Sequence, residues 1–536
     1  MTPQELLDES GQLFGKRSSL LSLWQEIADH FYPERADFTY TRSLGSEFAD
    51  HLMTSYPPLV RRDLGNAISA MLRPKGKEWS HIRAVEEDRE NNEAKRWLDW
   101  ATETQRRAQY DIASQFVRAT KEGDHDFVTF GQAVISVELN RARDGLLYRG
   151  WHLRDVAWRE NAELKIDTVH RKWKPAAQML ADLFRTEGAL HPKVQECLRS
   201  GGKKRFTEFN CRHIVMPADQ YKDGEFRTPW VSIHLDADNQ HIMEEIGLNH
   251  FMYVIPRWQT HSESQYAYSP ATVIGLPDAR LLQAMARVLL EAGEKATNPP
   301  MVATEEVVRS DVALYAGGLT WVDAEYDERL GQALRPITQN TNGIPLGLDM
   351  LADMRAQLAE AFYINKLGLP PMERETTAFE IGQRVQEWVR SAMPLFEPME
   401  SEYNGALQNA TFDLLMSNGG FGSSQDIPDS LSGSNVEFRF ESPLHASIEQ
   451  AKGNEFIQAR GLLEQAASID PAAAVHFDVH TAFRDALASI GTDPDWIRGE
   501  ENAARMIAEQ QQQQQAAQMA QAAQQMASMQ SAMPNG

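Results

Sequence analysis

The alternation of hydrophobic and polar positions divides the chain into helix-rich and strand-rich stretches. Apolar side chains recur at helical spacing over residues 3–31, 58–72 and about 88–120, which predicts three helices. From Phe127 the period changes to short segments separated by turn residues, which is typical of β-strands. The pattern therefore predicts an α+β body over residues 1–276, with helices first and a mixed set of strands after them.

A striped helix after this body is the sharpest local signal. Residues 252–255 form an apolar run that predicts a buried strand, and a polar, aromatic loop follows it. Pro277 and Asp278 then favour the start of a helix, and the Asn-Pro-Pro sequence at 298–300 favours its end. We predict a helix over residues 277–297 with one apolar face. That face carries Leu281, Met285 and Val288.

A second striped helix is predicted over residues 347–366. Its apolar face carries Leu351, Met354 and Leu358. Between the two helices, residues 298–346 are rich in β-branched and turn residues, which predicts a small β-containing module. The aromatic side chains that look exposed in this module are Tyr315, Trp321 and Tyr326. Two striped helices that flank a small β module predict an out-and-back stalk.

The C-terminal third begins with a break. Residues 367–376 contain a glycine and a Pro-Pro pair, and a capping box at Thr377 and Glu380 then starts another helix. Two further prolines should kink that helix, and a strand follows it within residues 377–444.

The last segment, residues 510–536, consists almost entirely of Gln, Ala, Met and Ser, apart from Pro-Asn-Gly at its end. This composition favours a disordered, low-complexity tail. Methionines at 519, 526 and 533 are seven residues apart, so a helix that associates with neighbouring chains is the alternative.

Composition narrows the class of protein. The chain has 536 residues, enough for two or three domains, with 42% hydrophobic and 24% charged residues. Its two cysteines have neither zinc nor redox spacing, its N-terminus does not resemble a signal peptide, and we expect no membrane span. A net charge of −23 makes it a poor candidate for gripping a phosphate backbone.

Two motifs suggest binding chemistry, and each has a simpler interpretation. His476 and His480 have the spacing of a helical zinc pair but lack the glutamate of HExxH, so an ordinary polar helix start is favoured. The GGKKR loop at residues 201–205 lacks the glycine and the Ser/Thr of a Walker motif, which favours a solvated basic loop.

A catalytic site is not indicated either. Glu373, Glu375 and Glu380 cluster around Arg374, but next to a helix start they satisfy the cap and the helix dipole. No nucleophile elbow and no Cys/His pairing is present in the sequence. We therefore predict no catalytic residues, no metal, no cofactor and no enzymatic activity.

Several segments resemble the portal (head-to-tail connector) proteins of short-tailed, podovirus-like tailed bacteriophages. In that family an RW…YG..P loop leads into an "alpdir.ln" helix and a Pro-Pro exit. The matching residues here are Arg257-Trp258, Tyr268-Ser269-Pro270 and Leu276-Pro277-Asp278-Ala279-Arg280. The loop glycines usual in the family are missing, since Ala267, Tyr268 and Ser269 occupy that region. Further matches lie at residues 67–79, 376–387 and 436–452, so the resemblance covers about residues 3–505 in the family's order.

The resemblance implies a portal-like fold. Residues 1–276 would be an α/β wing, and the two striped helices would be the stem around a protruding clip, residues 298–346. Residues 367–376 would be a tunnel loop facing DNA, residues 377–444 a kinked helix and return strand, and residues 445–509 a helical crown. It also assigns stem packing to Leu281, Met285, Val288, Leu351, Met354 and Leu358. The clip interface candidates are Tyr315, Trp321 and Tyr326, and the DNA-tunnel candidates are Lys366, Glu373, Arg374 and Glu375.

The function that the resemblance implies is mechanical. A twelve-subunit ring, assembled in the host cytoplasm, would sit at one capsid vertex of the virion and conduct double-stranded DNA during packaging and ejection. Its partners would be terminase, tail adaptor or nozzle proteins, and the major capsid and scaffolding proteins. An acidic bore would repel DNA from its wall. The alternatives are a structural adaptor or scaffold that forms no channel and, further behind, a hydrolase that uses the acidic cluster.

Overall fold

The computed structural model describes most of residues 1–303, 343–364 and 399–440. Short gaps lie at 44, 46, 75–77, 87–91, 187, 263, 424–425, 432 and 434. Residues 321, 329 and 334–336 and short pieces of 456–487 are also described. The chain divides into two compact units, residues 1–374 with 390–442 and residues 375–389 with 443–536.

The first unit mixes helices and antiparallel sheets, so the predicted α+β class is confirmed. Its helices are α1 (Pro3–Lys16), α2 (Ser18–Phe31), α3 (Tyr56–Leu72), α4 (Asn92–Tyr110), α5 (Phe116–Phe130), α6 (Ala177–Leu183), α7 (Pro192–Ser200), α8 (Ala218–Tyr221), α9 (Leu276–Thr297), α10 (Gly343–Ala361) and α11 (Ala406–Ser417). Its strands are β1 (Ser80–Ala84), β2 (Ile135–Leu139), β3 (Leu146–Gly150), β4 (Val156–Glu160), β5 (Ile166–Trp173), β6 (Cys211–Pro217), β7 (Trp230–Asp236), β8 (His241–Leu248), β9 (Tyr253–Val254), β10 (Met301–Ala303), β11 (Leu334–Pro336) and β12 (Val436–Phe440).

The first predicted helix, residues 3–31, is in fact two helices. Thr2 and Glu5 form a capping box that starts α1, and the chain breaks at Arg17 before α2. The buried Arg17 guanidinium donates hydrogen bonds to the carbonyl oxygens of Leu153 and Arg154. The prediction of one continuous helix was wrong because this long-range contact fixes a bend that periodicity does not reveal.

The predicted helix at 88–120 is also divided. Asp111 caps a short 3₁₀ turn after α4, and α5 then runs to Phe130, beyond the point where strands were expected. Gly131 ends α5 with a φ of +78°, and a Cβ there would lie 2.7 Å from the carbonyl carbon of Tyr268. The close approach of the 267–269 loop is thus accommodated at Gly131.

The largest sheet is antiparallel, with the strand order β4-β5-β6-β7-β8. One face packs on α1, where Leu6 joins Ile214, Val231 and Ile233 in a buried cluster. A second sheet has the order β3-β2-β9, and β1 pairs with β12. Through that last pairing, together with the packing of α11 residues against α4, the chain returns from residues 399–440 to the N-terminal body.

The second unit is described only in short pieces. The ring of Phe456 lies 6.5 Å from that of Phe477 and 5.9 Å from that of Phe483, and Arg460 pairs with Glu464. His476, His480 and the 510–536 tail lie outside the described residues. In the parts of the chain that are described, no helix is long and apolar enough to cross a membrane.

Candidate functional surface: the two-helix hairpin

Helices α9 and α10 form a hairpin joined through a short β ladder. Strands β10 and β11 pair antiparallel at Met301–Ala303 and Leu334–Pro336, so the chain runs out along α9 and returns along α10. Contacts at both ends define the packing of the two helices. A Cβ on Gly347 would lie 2.7 Å from the Leu289 side chain, and one on Gly275 would lie 2.9 Å from the Phe362 ring. The two helices are therefore antiparallel neighbours.

The base of the hairpin is packed into the body of the first unit. A π-helical turn, Ala271–Gly275, leads directly into α9, and Leu282 of α9 is buried. Beyond the end of α10, Phe362 is also buried, with its ring 5.2 Å from that of Phe31. These contacts fix the position of the hairpin on helix α2.

One buried polar side chain in α9 strengthens this attachment. Gln283 accepts hydrogen bonds from the backbone nitrogens of Met53 (2.7 Å) and Thr54 (3.0 Å), and it donates to the Thr54 carbonyl (2.9 Å). Across the hairpin, the Tyr56 hydroxyl donates to the carbonyl of Arg355 at 3.0 Å. Because Gln283 is buried, losing these bonds would leave its amide unsatisfied.

The rest of the hairpin exposes apolar side chains. On α9, Leu281 is 49% exposed and Val288 63% exposed, although both lie on the apolar face found in the sequence. Similar side chains are exposed on the π-helical turn and on the first part of α10. We define the hairpin apolar surface as Val273, Ile274, Leu281, Val288, Leu290, Leu346, Leu348 and Met350.

The six predicted stem residues fall into two groups. Leu281 and Val288 are exposed in the single chain and Met285 is half-buried. In contrast, Leu351 and Leu358 are buried within their own chain, and Met354 is half-buried. Leu358 is covered completely by its own chain, so its burial does not require a neighbouring subunit.

The covered face of α9 is a different one from the predicted stripe. It consists of Ala279, Leu282, Gln283 and Ala286. Helix α9 therefore has two apolar faces, which are offset from each other around the helix axis by about one residue. The buried face includes the polar side chain of Gln283. The sequence pattern identified the face that is largely exposed and missed the one that the body covers.

The other predicted site residues are only partly within the described chain. Trp321 is 70% exposed, and Tyr315 and Tyr326 lie outside the described residues. All four DNA-tunnel candidates, Lys366, Glu373, Arg374 and Glu375, also lie outside them. The structure therefore brings together the stem candidates alone.

Sequence reasoning missed a ladder of buried polar contacts along α5. Asp124, His125 and Asp126 are consecutive, and each one meets an arginine that comes either from α3 and its C-terminal cap or from the 3₁₀ turn Pro33–Arg35. Arg73 pairs with Asp124, Arg61 donates to His125 Nδ1 at 3.1 Å, and Arg35 pairs with Asp126 at 2.7 Å. We call these three pairs the α5 polar ladder. The signal in the sequence was a DHD triplet directly before the apolar residues Phe127 and Val128.

The first pair of the ladder is fully enclosed. Arg73 also donates to Asn404 Oδ1 at 2.7 Å and lies over the ring of Tyr403, and both residues belong to a second π-helical turn, Glu400–Gly405. Burial is the largest single influence and lowers the pKa of Arg73, but Asp124 and Tyr403 beside it together raise that pKa more, so the net direction is upward. The arginine therefore stays charged and ties this turn to α3 and α5.

The motif Arg257-Trp258 also makes contacts that hold separate segments together. The Arg257 guanidinium pairs with Glu160 and Glu402, and the Trp258 ring lies 5.2 Å from that of Phe127. Arg257 lines a cleft of about 1320 Å³, where both carboxylates neutralise it. Among the described residues, no cluster of His, Cys, Asp and Glu could hold a metal ion.

Comparison with known proteins now identifies the family. The family described as "Bacteriophage head to tail connecting protein" matches residues 4–497 of the 536-residue chain. The chain belongs to this family. The "Portal protein" of Salmonella phage epsilon15 is 22% identical to it over 542 residues, which cover 99% of this chain and 94% of that protein.

The resemblance to portal proteins is thereby confirmed. Members of the portal family are structural connectors and components of the virion at the capsid vertex, and catalysis is not a known property of the family. The function of this chain is accordingly that of a portal, or head-to-tail connector.

Proposed function

We propose that this portal-family chain assembles into a closed, twelve-subunit ring, the conduit for double-stranded DNA during packaging and ejection. The observation that carries the proposal is the hairpin apolar surface. Two helices that leave their leucines and valines in water form an unfinished surface, and such patches mark interfaces. Because the exposed residues lie on both α9 and α10, a copy can contact a different neighbour on each helix, which is the head-to-tail contact that a ring requires.

Two adjacent residues of α9 provide a matched test. Leu281 is exposed and Leu282 is fully buried in its own chain. We expect Leu281→Asp to leave the circular dichroism spectrum unchanged and to reduce the ring to smaller species in sedimentation velocity. Leu282→Asp buries a carboxylate without a partner and should disrupt the fold itself.

The outcomes separate the proposal from its alternative. Closed rings with a central hole in negative-stain images of the wild type support a channel. Wild-type protein that forms no closed ring, or Leu281→Asp rings of unchanged mass, would contradict it. The first of these results would favour the non-channel structural adaptor.

The domain assignments follow from the same proposal. Residues 1–276 form the wing, 277–297 and 347–366 the stem, and 298–346 the clip, where Tyr315, Trp321 and Tyr326 contact terminase or tail adaptor proteins. The exposure of Trp321 supports this, since aromatic side chains anchor interfaces well. Trp321→Ala should weaken terminase binding and leave ring mass unchanged, and unimpaired binding would contradict the assignment.

The DNA channel is assigned to residues 367–376 and their neighbours. Lys366 and Arg374 would touch phosphates weakly, while Glu373 and Glu375 prevent sticking, and contacts of this kind weaken with salt. The double variant Lys366→Ala/Arg374→Ala should alter packaging or DNA retention in particles whose rings assemble normally. Normal packaging and full retention would contradict this role. Assembly in the host cytoplasm and contacts with capsid and scaffolding proteins complete the proposal.

A further inference from the structure

A helical insertion connects two adjacent, paired strands of the largest sheet. Strand β5 ends at Trp173 and β6 begins at Cys211, and the two pair antiparallel. Antiparallel neighbours can be joined by a two-residue turn. Here the connection is residues 174–210, which carry α6, α7 and a 3₁₀ turn, Gly202–Phe206. We call this insertion the knob.

The knob is a closed structure of its own. Its two ends are tied together, since the Ala177 nitrogen donates to the Thr207 carbonyl at 2.9 Å and the Phe209 nitrogen to the Pro175 carbonyl at 3.0 Å. Some of its apolar side chains are buried in a small core that also includes Cys211 and Met243 of the largest sheet, whereas Met179 and Leu183 are about half exposed. That core includes Ala177, Leu180, Phe184, Val194 and Phe209. The outer surface of the knob is therefore free to serve a purpose other than folding.

The charge of the knob is opposite to that of the chain. Residues 174–210 contain seven Lys or Arg and four Asp or Glu, which gives +3, whereas the whole chain carries −23. Three of the cations, Lys203, Lys204 and Arg205, are consecutive and exposed on the 3₁₀ turn. None of the three forms an ion pair with a residue that the structure describes. Arginines elsewhere, such as Arg73 and Arg257, are held by carboxylates.

An aromatic ring stands next to these cations. Phe206 is 72% exposed, and the glycines at 201 and 202, with φ of +66° and +55°, turn the backbone in front of the basic run. Exposed cations beside an exposed aromatic ring are the features with which proteins bind the backbone and bases of nucleic acids. The basic run lacks the glycine and the Ser/Thr of a Walker motif, so the surface suits a polymer better than a single nucleotide.

We propose that the knob is a nucleic-acid contact, in which Lys203, Lys204 and Arg205 bind the phosphate backbone outside the channel residues. The choice of nucleic acid as the polyanion rests on the proposed function as a DNA conduit. The site itself does not depend on ring closure, because all of its residues lie within 37 consecutive positions of one chain.

The test uses the full-length protein and fluorescein-labelled 30-base oligonucleotides, duplex and single-stranded, in fluorescence anisotropy between 50 and 200 mM salt. The triple variant Lys203→Gln/Lys204→Gln/Arg205→Gln should weaken binding at least about tenfold at the lower salt. It should also reduce the magnitude of the slope of log K against log salt by about 2.7 for duplex DNA, because each of the three neutralised phosphates contributes about 0.9.

A matched control removes the same charge elsewhere. Lys95, Arg96 and Lys121 are exposed on α4 and α5, so their triple change to Gln also takes the formal net charge from −23 to −26. We expect the control to retain wild-type affinity and salt slope. Equal losses in both variants would overturn the proposal, because overall charge rather than the knob would then explain the binding.

Two further binding measurements distinguish single-stranded from duplex nucleic acid, and nucleic acid from an acidic protein. Phe206→Ser should weaken binding of the single strand and spare the duplex, because stacking requires unpaired bases. Binding of polyglutamate that requires the three cations, with no binding of either oligonucleotide, would overturn the proposal in favour of an acidic protein. Ring mass is measured on the same samples, so intact rings without DNA binding refute the knob alone, and missing rings refute only the proposed assembly.

Discussion

Helix α5 and the α9–α10 hairpin use their side chains in opposite ways. Helix α5 buries charged and polar groups, and each one has a partner from its own chain. The hairpin places leucine and valine in water, although it belongs to the same compact unit. Buried charge is tolerated only when it is paired, and exposed apolar surface is disfavoured unless something covers it.

The difference separates two stages of structure formation. The polar ladder completes the single chain, since it connects α3, α5 and the turn before α11 without outside help. The hairpin apolar surface is left incomplete by the same chain. Changes in the ladder should therefore affect the stability of the subunit, and changes in the exposed hairpin residues should affect assembly.

The largest effect is expected at the pair Arg73–Asp124. Replacing Asp124 with Leu leaves the Arg73 guanidinium buried without its counter-charge, which costs about 3–5 kcal/mol of unfolding free energy. Guanidinium denaturation at fixed protein concentration measures this loss. The double variant Arg73→Met/Asp124→Leu should recover much of it, because no charge is then buried. A loss below about 1 kcal/mol in the single variant would show that this pair does not hold the subunit together.

The next effect contrasts two hairpin residues of similar chemistry. Leu358 is 0% exposed and Val288 is 63% exposed. Leu358→Ala should cost about 2–5 kcal/mol of subunit stability through the lost burial and the cavity left behind. Val288→Ala should change subunit stability by less than about 0.5 kcal/mol and instead lower the fraction of protein in rings. Denaturation and sedimentation of both variants check this. Equal destabilisation by the two changes would contradict the distinction between the packed base of the hairpin and the hairpin apolar surface.

The sequence predicted elements better than it predicted contacts. Helix α9 was expected over residues 277–297 and is found at Leu276–Thr297, because Pro277 and the Pro-Pro pair mark its ends locally. Helix α10 begins at Gly343 and ends at Ala361, which is four residues earlier than expected at its start and five residues earlier at its end. The sequence predicted the apolar stripe of α10 correctly. It did not predict the C-terminal end of this helix, because no local stop signal precedes Gly368.

Long-range pairing is the part that periodicity cannot supply. The break at Arg17 depends on carbonyl oxygens more than 130 residues away, and the partners of Asp124, His125 and Asp126 lie 51, 64 and 91 residues away along the chain. The same limit applies to the candidate site. Both faces of α9 are apolar in the sequence, and only the packed structure distinguishes Leu282, which is covered, from Leu281, which is not.

The smallest expected effect is a pH dependence of subunit stability that comes from His125, the middle residue of the α5 polar ladder. Burial, together with the charges of Arg61 and Lys121, lowers the pKa of His125 from 6.5 to about 4. Between these values the unfolded chain binds a proton that the folded chain does not. The contribution of His125 to stability is therefore complete above pH 6.5 and is lost as the pH falls towards 4.

His125→Gln isolates this contribution from the other buried histidines. Glutamine can still accept the hydrogen bond from Arg61 but cannot take up a proton, so the slope of unfolding free energy against pH between 4 and 6.5 should be smaller than in the wild type. The difference should stay below about 1.4 kcal/mol per pH unit, the limit for one proton. His170 and His234, whose pKa values burial lowers to about 3, titrate in both proteins and cancel in the comparison. Identical slopes would mean that His125 keeps its ordinary pKa in the folded chain. The pair Arg61–His125 would then be exposed to water.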